Sequence, residues 1–537
     1  MPHIFNVKDD GATGDGITDD SSAVAVTISK AATAGAGTVL FPGNGTYLAT
    51  GLSWTTDNIT IEIGAGATVK KFGTVNEPIF EIGNRSVAVD KAAVIGRGRI
   101  DMNNVSGGNV RAILGAGPLT NIILKDFEVF NGAEDGADVI QIGGINGVST
   151  ASNVLIENLY VHDVKGGFIL NDMENFLVTG CTVNDMKGQD CYEPIRARHG
   201  VLAFNYGRNP GSETQPSNSV FDIFNDCTDI LLFGNTCIID RPITGNTGLT
   251  GITVGGGGTG AEDRVYIVNN TIDVPSIPGT QVFDTASWQI GIRILSGKNI
   301  VIKGGLIRGC LFNNSAKAIS STSEKVVIDG VRFDSCVSGV VSSTLHTVVT
   351  NCDFKNMGFA GGINKTQILF NNSMPAARIV ALNNNFDNNL VSKYLISCIN
   401  MSNAAHATAE VIIDGNCSGQ SVLQSGAIPI RSTSLPHTSM HIGMNYWYDA
   451  AGILWLTKNR GTATMLAGNT TIVVPHGLGF TPTSDMITVS ALGDWLATTK
   501  FWVDPASIGA TNFTITADIA PGGVGVLYQW FTGLNRG

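Results

Sequence analysis

Between residues 59 and about 430 the chain alternates short apolar runs with Gly, Asn and Asp, and no run keeps a helical period. One unit recurs: an alternating strand, a polar pair, then a second short strand. It reads NVLIENLYVHDV at 153–164, NFLVTGCTVNDM at 175–186, DILLFGNTCIID at 229–240 and RVYIVNNTIDV at 264–274. Further copies are NIVIKGGLIRGC at 299–310, KVVIDGVRFDSC at 325–336 and HTVVTNCDFKNM at 346–357. No helical stretch separates the copies, which argues against parallel strands joined by crossover helices. Irregular coils of about 20–35 residues with stacked strands predict a parallel β-helix over 51–430. The clear helix signal lies earlier. Asp19 or Asp20 can N-cap a helix running to about Ala34, which Gly35 and Gly37 stop. Thr38–Phe41 is then β-prone, and Pro42-Gly43-Asn44-Gly45 is a turn. Residues 431–445 read as a linker. Residues 446–537 alternate at even spacing (GNTTIVVPHGLGFTP, DMITVSAL, TTKFWVD, NFTITAD, GVGVLYQWF) and predict a C-terminal antiparallel β-sandwich.

The segment at 6–51 is the most specific. It holds the Gly11…Gly14-Asp15-Gly16 turn, the Thr18-Asp19-Asp20 cap and GAGTVLFPGNGTY at 35–47. These resemble the N-terminal cap (here 1–50) of pectate-lyase-like right-handed parallel β-helix proteins, of the phage tailspike and polysaccharide depolymerase type. The resemblance implies an all-β fold: a right-handed single-strand β-helix whose first coil is plugged by the helix. It is close over about 50 residues and otherwise rests on repeat character. The C-terminal segment resembles the module appended to many β-helix proteins of phage tails. DDGATGDGITDD also scans as a calcium loop, but it lacks the bidentate Glu at the last position. Turn and cap are expected there, with no metal.

Composition narrows the class. Gly contributes 66 of 537 residues, and charged residues only 14%. With 43% hydrophobic residues the chain can bury a large core, which excludes disorder. A net charge of −11 without a basic tract disfavours nucleic acid. No apolar run is long enough for a membrane span, and MPHIFNVKDDG is not a secretion signal. Nine cysteines without C-x-x-C spacing predict free thiols, no zinc and synthesis in a reducing cytosol. Cys181, Cys237, Cys310, Cys336 and Cys352 fall late in successive units and are expected to form one internal ladder.

Candidate chemistry comes from aligning the strand that precedes each unit: ADVIQIGG (137–144), GGFILNDM (166–173), DCYEPIRA (190–197), SVFDIFND (219–226), LTGITVGG (249–256) and QIGIRILS (289–296). Equal positions in rungs about 4.8 Å apart stack. Glu193 and Asp222 share a position, Asp172 and Asp226 are matched at the following turn, and Asp190 stands nearby. Arg196, Arg198 and His199 lie between these rungs, and Arg293 lies two rungs beyond Asp222. Tyr192, Phe221 and Trp288 are candidate aromatic faces. Alternation puts Ile195 and Ile223 inside, while Pro194 leaves the side of Glu193 open. The interruption RNPGSETQPSN at 208–218 is placed to wall a groove. Glycoside hydrolysis needs an acid and a second carboxylate, about 5–5.5 Å apart for retention and about 6.5–9.5 Å for inversion. Adjacent rungs permit the first, and a diagonal such as Glu193 with Asp226 the second. The candidate catalytic residues are therefore Glu193, Asp222, Asp190 and Asp226. The candidate substrate contacts are Tyr192, Arg196, Arg198, His199, Trp288 and Arg293. Each has a plain structural alternative: turn Asp residues cap backbone N–H groups, Arg pairs with acids, and aromatics fill cores.

The resemblance implies a tailspike depolymerase: an endo-glycosidase hydrolysing a bacterial capsular or O-antigen polysaccharide. It implies a homotrimer in a virion tail, acting at the host surface without a cofactor. The β-helix begins within the first ten residues, so attachment is expected through an adaptor, another tail protein or the short N-terminus itself. Two alternatives stay open. One is a lyase acting by β-elimination on a uronic-acid polymer, with Tyr192, Arg196, Arg198 and His199 in one patch. The other is a non-enzymatic glycan-binding fibre, which an aromatic content of 7% does not favour. Polygalacturonases of this fold carry paired Asp motifs, a Gly-His-Gly and an Arg-Ile-Lys. Here GQDC (188–191) and GIRILS (291–296) are faint echoes, no His stands near GLTG (248–251), and Leu295 replaces the Lys, so that activity is not carried over.

Overall fold

The computed structural model describes residues 3–309 apart from 85, 145–149, 212–217, 242–247, 257–261 and 275–287, together with separate segments between 317 and 533. Two compact units divide at residue 326.

The first unit opens with the cap. Helix α1 spans Ser21–Thr33 and buries Val24, Ile28 and Ala31. Asp20 occupies the N-cap position, yet its carboxylate turns back to accept from the Thr13 and Gly14 backbone N–H groups at 2.7 and 3.2 Å. Asp15 accepts from Ile17 and Thr18 N–H groups, which lower its pKa to about 2. Asp15 and Asp20 are thus committed to backbone donors, while Asp10 accepts from the Thr27 hydroxyl and the Lys30 ammonium. The glycines have a steric reason: a Cβ at Gly14 or Gly45 would lie 2.7–2.8 Å from the ring of fully buried Tyr47.

Each later coil contributes one strand to each of three parallel sheets. One such coil is Ala151–Glu157 in sheet I, Tyr160–His162 in sheet II and Gly166–Asn171 in sheet III. The recurrent unit is therefore a sheet I strand, a two-residue bend and a sheet II strand. Non-Gly residues with positive φ collect at the corners, among them Asn158, Phe204 and Asn269 at this bend. Asn pays little for that conformation, which explains why the turns are Asn-rich.

Directly after the bend, Asn205, Asn235 and Asn270 stack as a buried ladder. Each Oδ1 accepts the backbone N–H of the preceding rung (Cys181, Asn205, Asn235) at 2.9–3.0 Å. Each Nδ2 donates to a carbonyl of that rung at 2.8–3.0 Å: Val178, Leu202 and Leu232 respectively. This corrects the cysteine expectation. Cys181 and Cys352 occupy the asparagine line, whereas Cys237 stands in a sheet II strand between Gly207 and Ile272. The seven described cysteines are free thiols, and Cys310 lies outside the described residues.

In the second unit the same parallel coil recurs, with an Asn384–Asn416–Asn445 ladder. Its strands continue past 430. Ile430–Ser432 pairs with Tyr394–Ile399, and Met440–Ile442 with Glu410–Asp414. Residues 431–445 are thus partly coil and not a bare linker. Two three-stranded antiparallel sheets follow: Lys458–Met465, Val526–Gly533 and Ile487–Leu492 in one, and Thr471–Pro475, Asn512–Ala517 and Phe501–Val503 in the other. Val474, Phe513, Ile515, Tyr528 and Trp530 lie in their shared core. Among the described residues, no helix is long and apolar enough to cross a membrane.

Candidate functional site

The outward row of sheet III runs Gln141, Ile169, Glu193, Asp222, Thr253 and Arg293 on successive strands. Strand Tyr192–Ile195 alternates cleanly through Pro194. Tyr192 and Pro194 point inward, and Glu193 and Ile195 are half-buried on the outer face. The expected inward Ile195 is thereby corrected. What sets the phase is Tyr192. Its ring stacks between Phe168 and Phe221 at 5.3 and 4.6 Å, and its hydroxyl donates to the Cys181 and Tyr206 carbonyls. With no exposed surface, Tyr192 is a core residue and not a substrate contact, and Phe221 is likewise buried.

The register sets Tyr192 beside Phe221 and so Glu193 beside Asp222. Asp190 reaches the same spot from the turn before the strand. Carboxylate oxygens of Asp190, Glu193 and Asp222 all lie within 4.8 Å of one another, and each residue is half-buried. Three such groups cannot all ionise, because burial and mutual repulsion both favour the neutral form. Burial, then the charges of Asp190 and Asp138, push Glu193 up to about 8. Burial raises Asp190 to about 7, although the Ser219 backbone N–H that it accepts opposes the rise. Asp222 is raised well above the usual carboxylate range by burial and by Asp190, Glu193 and Glu262, with Arg293 pulling the other way. Protons therefore stay on this cluster at neutral pH and titrate as a property of the group. Among the described residues this is also the one set spaced to hold a cation.

The other candidates disperse. Asp172 is one position out of line with Asp226: its row passes to Arg196, whose backbone N–H meets Asn225. Arg196 clamps Asp172 through two bonds of 2.7 and 2.9 Å at the corner between sheets III and I. Asp226 is exposed and its charge acts on Arg196 and Glu262, so it joins another group. Arg198 and His199 open the next sheet I strand. There His199, half-exposed with φ 51°, sits 3.6 Å from Glu174 and 3.5 Å from Asp229. Tyr192, Arg196, Arg198 and His199 do not form the single patch expected of them, because Tyr192 is buried in the core and Arg196 is paired with Asp172. Arg293 faces Asp222 across one rung. The side chain of Trp288 and residues 212–217 of the interruption lie outside the described residues.

Two buried acids beside the cluster escaped the sequence reading. Asp138 pairs in register with Gly166 in the line that leads to Asp190 and Ser219. Aligning ADVIQIGG one residue out had hidden it. Glu262 has no exposed surface, and Ser296 donates to its Oε2 at 2.6 Å.

Parallel coils stacked in three sheets behind a capping helix, with an acid cluster on one outer face, make this a parallel β-helix protein. Residues 4–76 match the family model described as rhamnogalacturonase A/epimerase, pectate lyase-like. The chain is 25% identical over 200 residues to "Depolymerase 1, capsule KN3-specific" of Klebsiella phage KN3-1, a match spanning 35% of this chain and 21% of that relative. Among solved structures it is similar to a tailspike double mutant of E. coli bacteriophage HK620, at 12% identity and a TM-score of 0.58 over 99% of this chain and 94% of the other. The HK620 tailspike in complex with a pentasaccharide matches at 11% identity and a TM-score of 0.55, over 98% and 93%. At such identity the likeness establishes the fold.

Proposed function

We propose that the protein is a tailspike depolymerase that hydrolyses glycosidic bonds of a bacterial capsular or O-antigen polysaccharide. The observation that carries this reading is the Asp190–Glu193–Asp222 cluster on the outer face of sheet III. Burial and the neighbouring anions keep the proton on Glu193 up to about 8, which suits it to protonate the leaving oxygen. Asp190, with the Ser219 N–H favouring its charged form, is the better anion and serves as the second carboxylate. Their spacing, within 4.8 Å, supports direct attack on the sugar more than a water held between them. Activity then follows a bell whose limbs belong to the cluster. It rises as the first proton leaves near 7 and falls as Glu193 ionises near 8.

Incubation with a panel of bacterial capsular and O-antigen polysaccharides tests the assignment by product mass. Whole repeat units plus water, released with retained anomeric configuration by proton NMR, are expected. Products lighter by water would establish a lyase and overturn the reading. Binding without shortening would leave a glycan-binding fibre.

The similarity to phage proteins also supports a place in a virion tail, outside the host cell. Self-association as a homotrimer is supported by sheet I. Its outward row is apolar on six successive strands: Ile123, Leu155, Leu177, Val201, Leu231 and Tyr266. Ile123, Leu177 and Tyr266 are each 38–39% exposed in the single chain. A continuous stripe of this kind is costly to leave in water. Sedimentation equilibrium is expected to give three times the chain mass, and Leu177→Glu with Leu231→Glu to give monomer. A monomeric parent protein would remove the proposal.

A further inference from the structure

Asp138 is a buried carboxylate that the chemistry above leaves unused. It is 6% exposed and lies in the line of Gly166, Asp190 and Ser219. Gly166 matters because it has no side chain: a Cβ there would stand 1.8 Å from Asp138 Oδ1. The carboxylate of Asp138 therefore occupies the space over Gly166, on the side of the next rung, where Asp190 stands in the turn before the strand Tyr192–Ile195. Gln189, the residue before Asp190, closes over it. With its amide nitrogen turned inward, Gln189 donates to both Asp138 oxygens at 2.6 and 2.7 Å. The charged groups acting on Asp138 are Arg111 from the rung below and Lys165 from the turn before Gly166, and its own charge bears on Asp190 and Glu193.

From this geometry we infer that Asp138 is a positioning residue of the hydrolytic site: a fixed negative charge, seated over Gly166 and held by Gln189, that keeps the proton on Glu193. The inference rests on the hydrolytic reading. Its physical basis is like-charge repulsion inside a half-buried site, where screening by water is weak. Arg111, from the rung on the side away from the catalytic carboxylates, and Lys165, beside Gly166, both favour the charged form of Asp138, and Gln189 adds two donors to that form. Burial opposes them and leaves Asp138 at about 6. It is thus charged over the pH range in which the catalytic pair works. The arrangement gives Glu193 a neighbouring anion that does not itself touch the reacting bond.

The test is the pH profile of kcat/KM for Asp138→Asn, which keeps the shape and removes the charge. Losing the anion lowers the proton affinity of Glu193, so the alkaline limb is expected to move toward acid by about one unit. The acid limb should follow in the same direction. A merely structural role would lower activity at every pH and leave both limbs in place, and that result would overturn the inference. Gln189→Leu provides a second, milder variant at a half-buried position. Without its donors Asp138 holds its own proton longer, so the alkaline limb should shift the same way by a smaller amount. Unmoved limbs in both variants, while Glu193→Gln remains inactive, would sink the role of Asp138 and leave the hydrolytic reading standing. Activity retained in Glu193→Gln would sink the reading itself.

Discussion

Glu193→Gln is expected to lower kcat by about 10²–10⁴-fold with little change in KM, the range that general acids contribute. Gln keeps the size and polarity of the side chain but cannot deliver a proton. The same substitution should stabilise the fold at alkaline pH. Glu193 holds its proton up to about 8 in the folded chain, against 4.5 ordinarily. Between those values the folded state binds more protons than the unfolded one, so stability falls as pH rises. Below about 4.5 the group is protonated in both states and the difference vanishes. Above about 8 the wild type carries a half-buried charge crowded by Asp190 and Asp222, which Gln removes. Melting curves at pH 6 and pH 9 are therefore expected to lie closer together in the variant than in the parent, with Asp190 and Asp222 supplying the remaining separation. Such opposition of activity and stability is what a site of crowded carboxylates entails. A variant of full activity, or a melting temperature that ignores pH in both proteins, would refute the assignment of Glu193 as the acid.

Asn235→Ala should be the most damaging single change in the first unit's scaffold, by about 3–5 kcal/mol from two stranded backbone groups and the lost side-chain bonds. Asn235 Oδ1 accepts from Asn205 N–H at 2.9 Å, and its Nδ2 donates to Leu202 O at 2.8 Å and Asn270 Oδ1 at 2.9 Å. Truncation leaves the Asn205 N–H and the Leu202 carbonyl buried without partners, and shortens the ladder at its centre. The measurement is the denaturant midpoint of the first unit, with Asn235→Cys as comparison, since Cys181 already occupies that line one rung before Asn205. A midpoint unchanged in Asn235→Ala would mean that water replaces the amide at no cost.

The parallel coil was legible because its signals are local. A strand, a polar pair and a strand require only alternation and residues that tolerate positive φ, and both are written in consecutive positions. The cap was legible for the same reason: Gly14, Gly45 and Tyr47 meet within one short stretch of chain. Pairing Glu193 with Asp222 needed only the next rung. The asparagine ladder was also present in the sequence, as the Asn that opens each second strand in FNYGR, GNTCI and NNTID.

Facing was a different matter. The sequence by itself determined the fold class and that Asp190, Glu193 and Asp222 lie on neighbouring rungs. Tertiary structure alone decided which side of the wall each residue takes. Tyr192 reads equally well as a sugar platform or a core ring until Phe168 and Phe221 are stacked on its two faces. Arg196 reads as a substrate clamp until Asp172 takes its Nε–H and one Nη2–H in a two-pronged pair. Asp138 was invisible to an alignment one residue out of register, because the outward row repeats every second residue and coils of unequal length hide the phase. Proton affinity is likewise no property of Asp or Glu in sequence. It arises when three carboxylates from two rungs are brought within 4.8 Å on a half-buried face, where burial and mutual repulsion act together.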